Sequence, residues 1–267
     1  MSEDRFWKKL MVLILVLVFL FPGLPVEAEE SKPVEVPGVV YLNQNQRGRS
    51  NWCVIYSTAM LLSRYGLTEN TDEIARQMKM EDRKEAYFSW KSTFAEDGSV
   101  EKYLQNRHGL ITQKRIFVTL RDPIIQWIKD NLREGNPVLA IYGKWDGHAV
   151  LLVGYDEEFL YMNDPSGAFF FEATSALDRD MRPRRWLKEQ RRSPFEGAGV
   201  RWDDFNHFIR LRNLWGYLFV VTGRDESLIG SMETRPNYEG MIPERPREGS
   251  ILYGPNMSGE FYHVLFQ

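Results

Sequence analysis

Apolar and polar residues follow one another in a pattern that predicts helices early in the chain and an antiparallel sheet after them. The clearest apolar run begins at Trp52 and Cys53, directly after the polar residues Ser50 and Asn51, whose types favour helix N-caps. This run predicts a helix that continues to Tyr65 and ends at Gly66, because glycine suits the left-handed conformation that often follows a helix. Cys53 is therefore expected in the first turn of this helix.

Further helices are predicted where capping residues precede apolar stripes. Asp122-Pro123 is typical of a helix start, and Asn70-Thr71-Asp72-Glu73 has the pattern of a capping box. Two more helices are expected over residues 100–106 and from residue 203 to residue 215. Short apolar runs predict strands at residues 39–42, 116–120, 138–142, 159–162, 169–171 and 217–221, with another that begins at His148. This order predicts an α+β fold in which an N-terminal helix packs on an antiparallel sheet.

Two of these strand patterns lie on either side of a turn at residues 156–158 and predict a β-hairpin. The first strand begins at His148, and the second ends in Asn163-Asp164-Pro165. Because the end of the second strand of a hairpin returns to the start of the first, Asp164 is expected beside His148.

Cys53 is the only cysteine in the chain, so it can form no internal disulfide and cannot by itself build a thiolate metal site. The first turn of a helix stabilises negative charge, and the thiolate is the nucleophilic form of cysteine. The alternative is that Cys53 is a small buried apolar residue. A nucleophilic cysteine needs a base, which is usually histidine, and a carboxylate that orients the histidine. His148 and Asp164 fit these two roles, whereas the other histidines are interpreted as a loop residue (His108), a structural helix residue (His207) and a residue with no assigned role (His263).

The order and spacing of three segments resemble the peptidase C39-like family of papain-fold cysteine peptidases. They are Tyr41-Leu42-Asn43-Gln44, then Cys53-x-x-x-Ser57-x-Ala59-Met60-Leu61, and finally Gly147-His148-Ala149-Val150 with Asn163-Asp164-Pro165. The resemblance covers roughly residues 36–222. It implies a papain-like fold and a hydrolase that cleaves a peptide or protein substrate. By the same resemblance Cys53 is the nucleophile, His148 the base, Asp164 its orienting partner and Gln44 a donor to the oxyanion.

Three alternatives accompany this interpretation. Gln46 is a second candidate for the oxyanion donor, because it lies nearer to Cys53 in the sequence. A transglutaminase-like acyl transferase would order Cys, His and Asp similarly, although such enzymes usually have Trp after the cysteine, and here Trp52 precedes it. An inactive peptide- or cell-wall-binding module of the same fold is favoured only by Val54, which stands where the family usually has Gly or Asn.

The N-terminus has the three parts of a secretory signal peptide. Basic residues precede an apolar run over residues 10–21, and Val26-Glu27-Ala28 offers a small-residue cleavage point. The run is short for a membrane span, which needs about 20 residues, but an uncleaved anchor is the alternative. We therefore expect a signal peptide at residues 1–28, a linker at 29–36, a peptidase domain at 37–222 and a C-terminal tail at 223–267, with the domain secreted or otherwise outside the cytoplasm.

Charge and composition narrow the expected partners. The chain has 267 residues, 43% of them hydrophobic, and a formal net charge of −3, which argues against a nucleic-acid partner. Basic residues crowd the segment 179–192, which is interpreted either as a solvated surface or as a contact with an anionic membrane or cell-wall polymer. Neither the motifs nor the resemblance implies a cofactor or a metal.

Overall fold

The computed structural model describes residues 32–47, 52–78, 100–117, 119–143, 148–212, 214–230, 252–255 and 261–264. The chain divides into the units Met1–Lys32 and Pro33–Gln267, and all described residues except Lys32 belong to the second. The predicted signal peptide, residues 29–31 of the predicted linker, and Ser50 and Asn51 lie outside the described residues, so the predictions made for them stay predictions. Among the described residues, no helix has both the length and the apolar character needed to cross a membrane.

Three helices precede β2, and helices and strands are mixed along the rest of the described chain. The described helices are α1 (Cys53–Arg64), α2 (Thr71–Gln77), α3 (Val100–His108), α4 (Asp122–Arg133), α5 (Ala168–Leu177) and α6 (Trp202–Leu211). The described strands are β1 (Val34–Glu35), β2 (Leu110–Phe117), β3 (Val138–Gly143), β4 (His148–Tyr155), β5 (Phe159–Asn163), β6 (Ala198–Arg201), β7 (Trp215–Arg224), β8 (Leu252–Pro255) and β9 (Phe261–Val264).

One antiparallel sheet organises the second unit. Its strand order is β2-β7-β3-β4-β5-β6, and the short β1 also pairs with β4. The predicted hairpin is confirmed, because β4 and β5 pair on either side of the turn, with Leu151 opposite Asn163. Asp156 closes this turn, since its Oδ1 accepts hydrogen bonds from the backbone amides of Glu158 and Phe159.

Helices cover both faces of the sheet. Side chains of α1, α2 and α3 pack with alternate residues of β3 and β4 such as Leu139 and Leu151. Side chains of α4, α5 and α6 pack with the intervening residues such as Ala140 and Val150. The predicted α+β architecture is therefore confirmed. Successive side chains of a strand point to opposite faces of the sheet, so the same strands contribute to both apolar clusters.

The first helix is the most deeply buried of the six, because every residue from Cys53 to Leu62 is buried. The Ser57 hydroxyl donates to the backbone carbonyl of Ala149 in β4, at 3.1 Å. Ser57 lies one turn after Cys53, and Ala149 follows His148, so this bond fixes the helix start beside the strand start. The helix ends as predicted, with Gly66 in the left-handed region at φ +70°.

Several sequence-based boundaries are wrong. Residues 169–171 were expected to form a strand but lie in α5, because the Asp164 carboxylate binds the amides that start this helix. The strand expected at 116–120 is β2, which begins at Leu110. The helix expected to reach residue 215 ends at Leu211, and Trp215 instead begins β7. The pairing of β8 with β9 in the C-terminal segment was not predicted.

Candidate active site

The open end of the β4–β5 hairpin brings His148 and Asp164 together. His148 is the first residue of β4, and Asp164 directly follows β5. The Nε2 atom of His148 lies 2.8 Å from Oδ1 of Asp164. The two residues are 4% and 0% exposed, so this hydrogen bond is shielded from water. His148 and Asp164 therefore lie side by side, as the predicted hairpin required.

Backbone amides hold the Asp164 carboxylate in place beside the imidazole. Its Oδ1 accepts hydrogen bonds from the amides of Ser166 (3.0 Å) and Gly167 (2.8 Å), and its Oδ2 accepts one from the amide of Phe169 (3.0 Å). The turn after β5 and the start of α5 therefore bend around the carboxylate. This arrangement fixes the direction in which Asp164 faces His148.

The surroundings of the pair favour its charged form. Burial opposes an imidazolium, but the charge and hydrogen bond of Asp164, together with the contact to Cys53, raise the pKa of His148 well above its usual value. Burial likewise opposes the carboxylate, but His148 and the amides of Ser166 and Gly167 hold the pKa of Asp164 below its usual value. An imidazolium next to a carboxylate is the expected state at neutral pH.

Cys53 is the first residue of α1 and is 5% exposed. Its side chain interacts with the imidazole of His148 and helps to raise the pKa of that ring. Because Nε2 faces Asp164, the ring nitrogen left for the sulfur is Nδ1. The first bond of the helix runs from the amide of Tyr56 to the carbonyl of Trp52, so the preceding amides have no partner within the helix. The N-cap is Trp52, which makes no side-chain cap bond, and the predicted capping residues Ser50 and Asn51 lie outside the described residues.

Gln44 lies against the loop that carries Asp164. Its backbone amide donates to the carbonyl of Pro165 at 3.0 Å, and its side chain is 2% exposed. The strand expected at residues 39–42 is absent, because this described segment runs without regular structure into a 3₁₀ helix at Gln44–Arg47. The side chain of Gln46 lies outside the described residues, so the choice between the two glutamines stays a prediction.

Val54, the residue that departs from the family pattern, is completely buried in the apolar cluster formed with α2 and α3. A β-branched side chain at this position fills core volume. Its presence is thus explained by packing between helix and sheet.

His108 was predicted to lie in a loop, but it is the last residue of α3. Its Nε2 atom lies 3.1 Å from Glu69, which also binds Arg107 and the hydroxyl of Tyr103. His207 is exposed on α6, and the side chain of His263 lies outside the described residues. Neither His108 nor His207 belongs to the group formed by Cys53, His148 and Asp164.

The basic segment 179–192 contains little regular structure, and its charged side chains are largely exposed. Several of them bind acidic partners of the same chain: Asp180 binds Arg182 and Arg184, and Lys188 lies 2.7 Å from Glu35. These contacts favour the solvated-surface interpretation of this segment.

Three contacts near the site were not predicted from the sequence. The Tyr41 hydroxyl lies 3.0 Å from the carbonyl oxygen of Asp164 and 3.2 Å from Oγ of the buried Ser193. The carbonyl of Phe195 accepts a hydrogen bond from the Asp164 amide. The aromatic residue of the Tyr41-Leu42-Asn43-Gln44 motif was the only sequence signal for this network, and Ser193 gave none.

A helix that begins with a buried cysteine and packs on an antiparallel sheet carrying histidine and aspartate is the architecture of a papain-like fold. The model of the Peptidase_C39 like family matches residues 36–193, more than half of the chain. The chain therefore belongs to this family. A crystal structure of a candidate C39-like peptidase from Bacillus anthracis is 19% identical, with a TM-score of 0.42, over 72% of this chain and 99% of that one. A comparison with curated proteins found no match.

Proposed function

We propose that this protein is a cysteine peptidase whose catalytic triad is Cys53, His148 and Asp164. The observation that carries the proposal is that the imidazole of His148 interacts with Cys53 and is hydrogen-bonded to the buried Asp164 carboxylate. Nucleophile, base and orienting acid are three roles that acyl transfer requires, and these side chains supply them in the necessary order.

In the proposed reaction the Cys53 thiolate attacks the substrate carbonyl carbon, and its electron pair forms the carbon–sulfur bond. The imidazolium of His148 gives its proton to the leaving amine as the peptide bond breaks, which leaves a thioester. His148 then takes a proton from water, and the hydroxide formed attacks the thioester. The acid product leaves, and the thiolate and imidazolium return.

Charge on the carbonyl oxygen needs donors that are in place before the attack. The Cys53 amide has no partner within α1, and the Gln44 side chain is buried beside the Asp164 loop. We propose these two groups as the oxyanion donors. The backbone bond from Gln44 to Pro165 supports Gln44 over Gln46, because it ties Gln44 to the loop that carries the acid.

Gln44→Ala should lower kcat by about 10²–10³, the range for the loss of one oxyanion donor. Iodoacetamide labelling of Cys53 should stay near wild type, because the contact between Cys53 and His148 is untouched. Gln46→Ala is the matched control and should change kcat little. The opposite ranking of the two variants would show that Gln46 is the donor.

The proposed function is tested by a peptide-library cleavage profile of protein purified from a host that exports it, measured beside Cys53→Ala. Wild-type protein should hydrolyse a defined set of peptides, and the variant none. A parallel reaction with a primary amine in excess detects transfer: amide products in place of free acids would identify an acyl transferase. Peptide binding without any product would identify a binding module and overturn the proposal.

A further inference from the structure

We propose that Tyr41 is a positioning residue that holds the segment bearing Gln44 against the Asp164 loop, so that the oxyanion donor is fixed before substrate reacts. This inference rests on the proposed function. Tyr41 is 4% exposed, and its hydroxyl donates to the backbone carbonyl of Asp164 at 3.0 Å. Burial raises the pKa of the Tyr41 phenol, so the proton needed for this bond is retained.

Tyr41 makes the first of three successive bonds between two segments. The carbonyl of Asp164 accepts from Tyr41, that of Pro165 accepts from the amide of Gln44, and that of Ser166 accepts from Nδ2 of Asn45 at 3.1 Å. Residues 41–45 are therefore aligned along residues 164–166. The loop that carries Asp164 and so orients His148 is thus the same loop that holds Gln44, the proposed oxyanion donor.

Tyr41 is the better shielded of the two side-chain anchors in this alignment. Asn45 is exposed, so water competes for its bond to Ser166. The Tyr41 hydroxyl is buried and also lies 3.2 Å from Oγ of Ser193, which itself is 7% exposed. Loss of the phenol hydroxyl would leave the Asp164 carbonyl and Ser193 without this shared partner and allow the 41–45 segment to move. Small displacements of a catalytic group reduce rate strongly, by up to about 10²-fold per ångström.

The test is Tyr41→Phe, which keeps the ring and removes only the hydroxyl. We expect kcat to fall about tenfold with KM unchanged, because a donor to the oxyanion acts in the transition state. In a Gln44→Ala background the same substitution should have no further effect on kcat, since Tyr41 acts through Gln44. An equal fall in both backgrounds, or no fall in the wild-type background, would overturn the inference.

The matched control is Tyr65→Phe. Tyr65 is also partly buried, and its hydroxyl donates to a backbone carbonyl, that of Val221 at 3.4 Å, away from the Asp164 loop. This variant should leave kcat unchanged. A comparable loss of kcat in Tyr65→Phe would show that the effect of Tyr41→Phe is a general loss of packing.

Hydrogen exchange separates a failure of this inference from a failure of the proposed function. The Gln44 amide donates to Pro165, so Tyr41→Phe should accelerate its exchange at least severalfold, and Tyr65→Phe should not. This measurement needs no activity. Accelerated exchange in a protein that cleaves no peptide would support the positioning role and reject the peptidase, whereas unchanged exchange would overturn the positioning role.

Discussion

Replacement of His148 with alanine should lower kcat by about 10³–10⁴, because the variant loses its general base, its general acid and the cation beside the thiolate. Iodoacetamide should also label Cys53 only at higher pH than in the wild type, since the raised pKa of His148 keeps the imidazolium present above neutral pH. Initial rates of peptide hydrolysis measure the loss of kcat. Labelling rates between about pH 5 and pH 10, a range that includes the ordinary thiol pKa, measure the change in labelling.

His207→Ala is the control for this experiment, because His207 is exposed on α6 and is not part of the group formed by Cys53, His148 and Asp164. It should change neither the hydrolysis rate nor the labelling profile. If His148→Ala and wild type give the same profile of labelling rate against pH, the pairing of His148 with Cys53 is wrong.

Asp164→Asn should lower both kcat and stability. An amide in place of the carboxylate presents one oxygen and one NH₂ group, so it cannot serve the amides of Gly167 and Phe169 and the imidazole together. The loss of one partner from a buried ion pair costs about 3–5 kcal/mol in the free energy of unfolding. A triad that loses its acid loses up to about 10⁴ in kcat, because the histidine is no longer held in the right tautomer.

The loss of stability in Asp164→Asn should depend on pH, and the pKa shifts of Asp164 and His148 determine how. The pKa of Asp164 is lowered by folding, so its contribution is present above its unfolded value of about 3.9 and is lost as pH falls through the folded value. The pKa of His148 is raised, so its contribution is complete below about 6.5 and is lost as pH rises through the folded value. The free energies of unfolding of wild type and Asp164→Asn, measured in urea, should therefore differ most between about pH 3.9 and about pH 6.5 and less at lower or higher pH.

Asp156→Asn is a control of the same chemistry at the other end of the hairpin. The Asp156 carboxylate also accepts two backbone amides, and it accepts the Tyr161 hydroxyl at 2.6 Å. This substitution should lower stability and leave kcat of the folded protein unchanged. A loss of kcat as large as that of Asp164→Asn would show that hairpin stability, and not orientation of His148, accounts for the effect.

The sequence predicted the parts of the site that depend on local pattern. Cys53 begins a helix because a polar run gives way there to an apolar one, and His148 meets Asp164 because a hairpin turn lies midway between them. Both consequences follow from short stretches of chain, and both predictions are confirmed.

Features that depend on distant contacts could not be predicted in this way. Residues 169–171 have the apolar, aromatic composition of a strand. The Asp164 carboxylate, however, accepts hydrogen bonds from the amides of Gly167 and Phe169, and a helix begins there instead. The bond from Tyr41 to the Asp164 carbonyl joins segments that are far apart in the sequence. Its existence depends on the packing of both segments, which no periodicity in either one reveals.

The position of β7 has a consequence for the order of events during synthesis. This late strand lies between β2 and β3, where Leu139 pairs with Phe219 and Thr112 pairs with Val221. A nascent chain that lacks β7 therefore leaves two inner strand edges open, and its sheet cannot close. The assembled sheet, and with it the firm support of His148 against α1, comes only after almost all of the domain has been made.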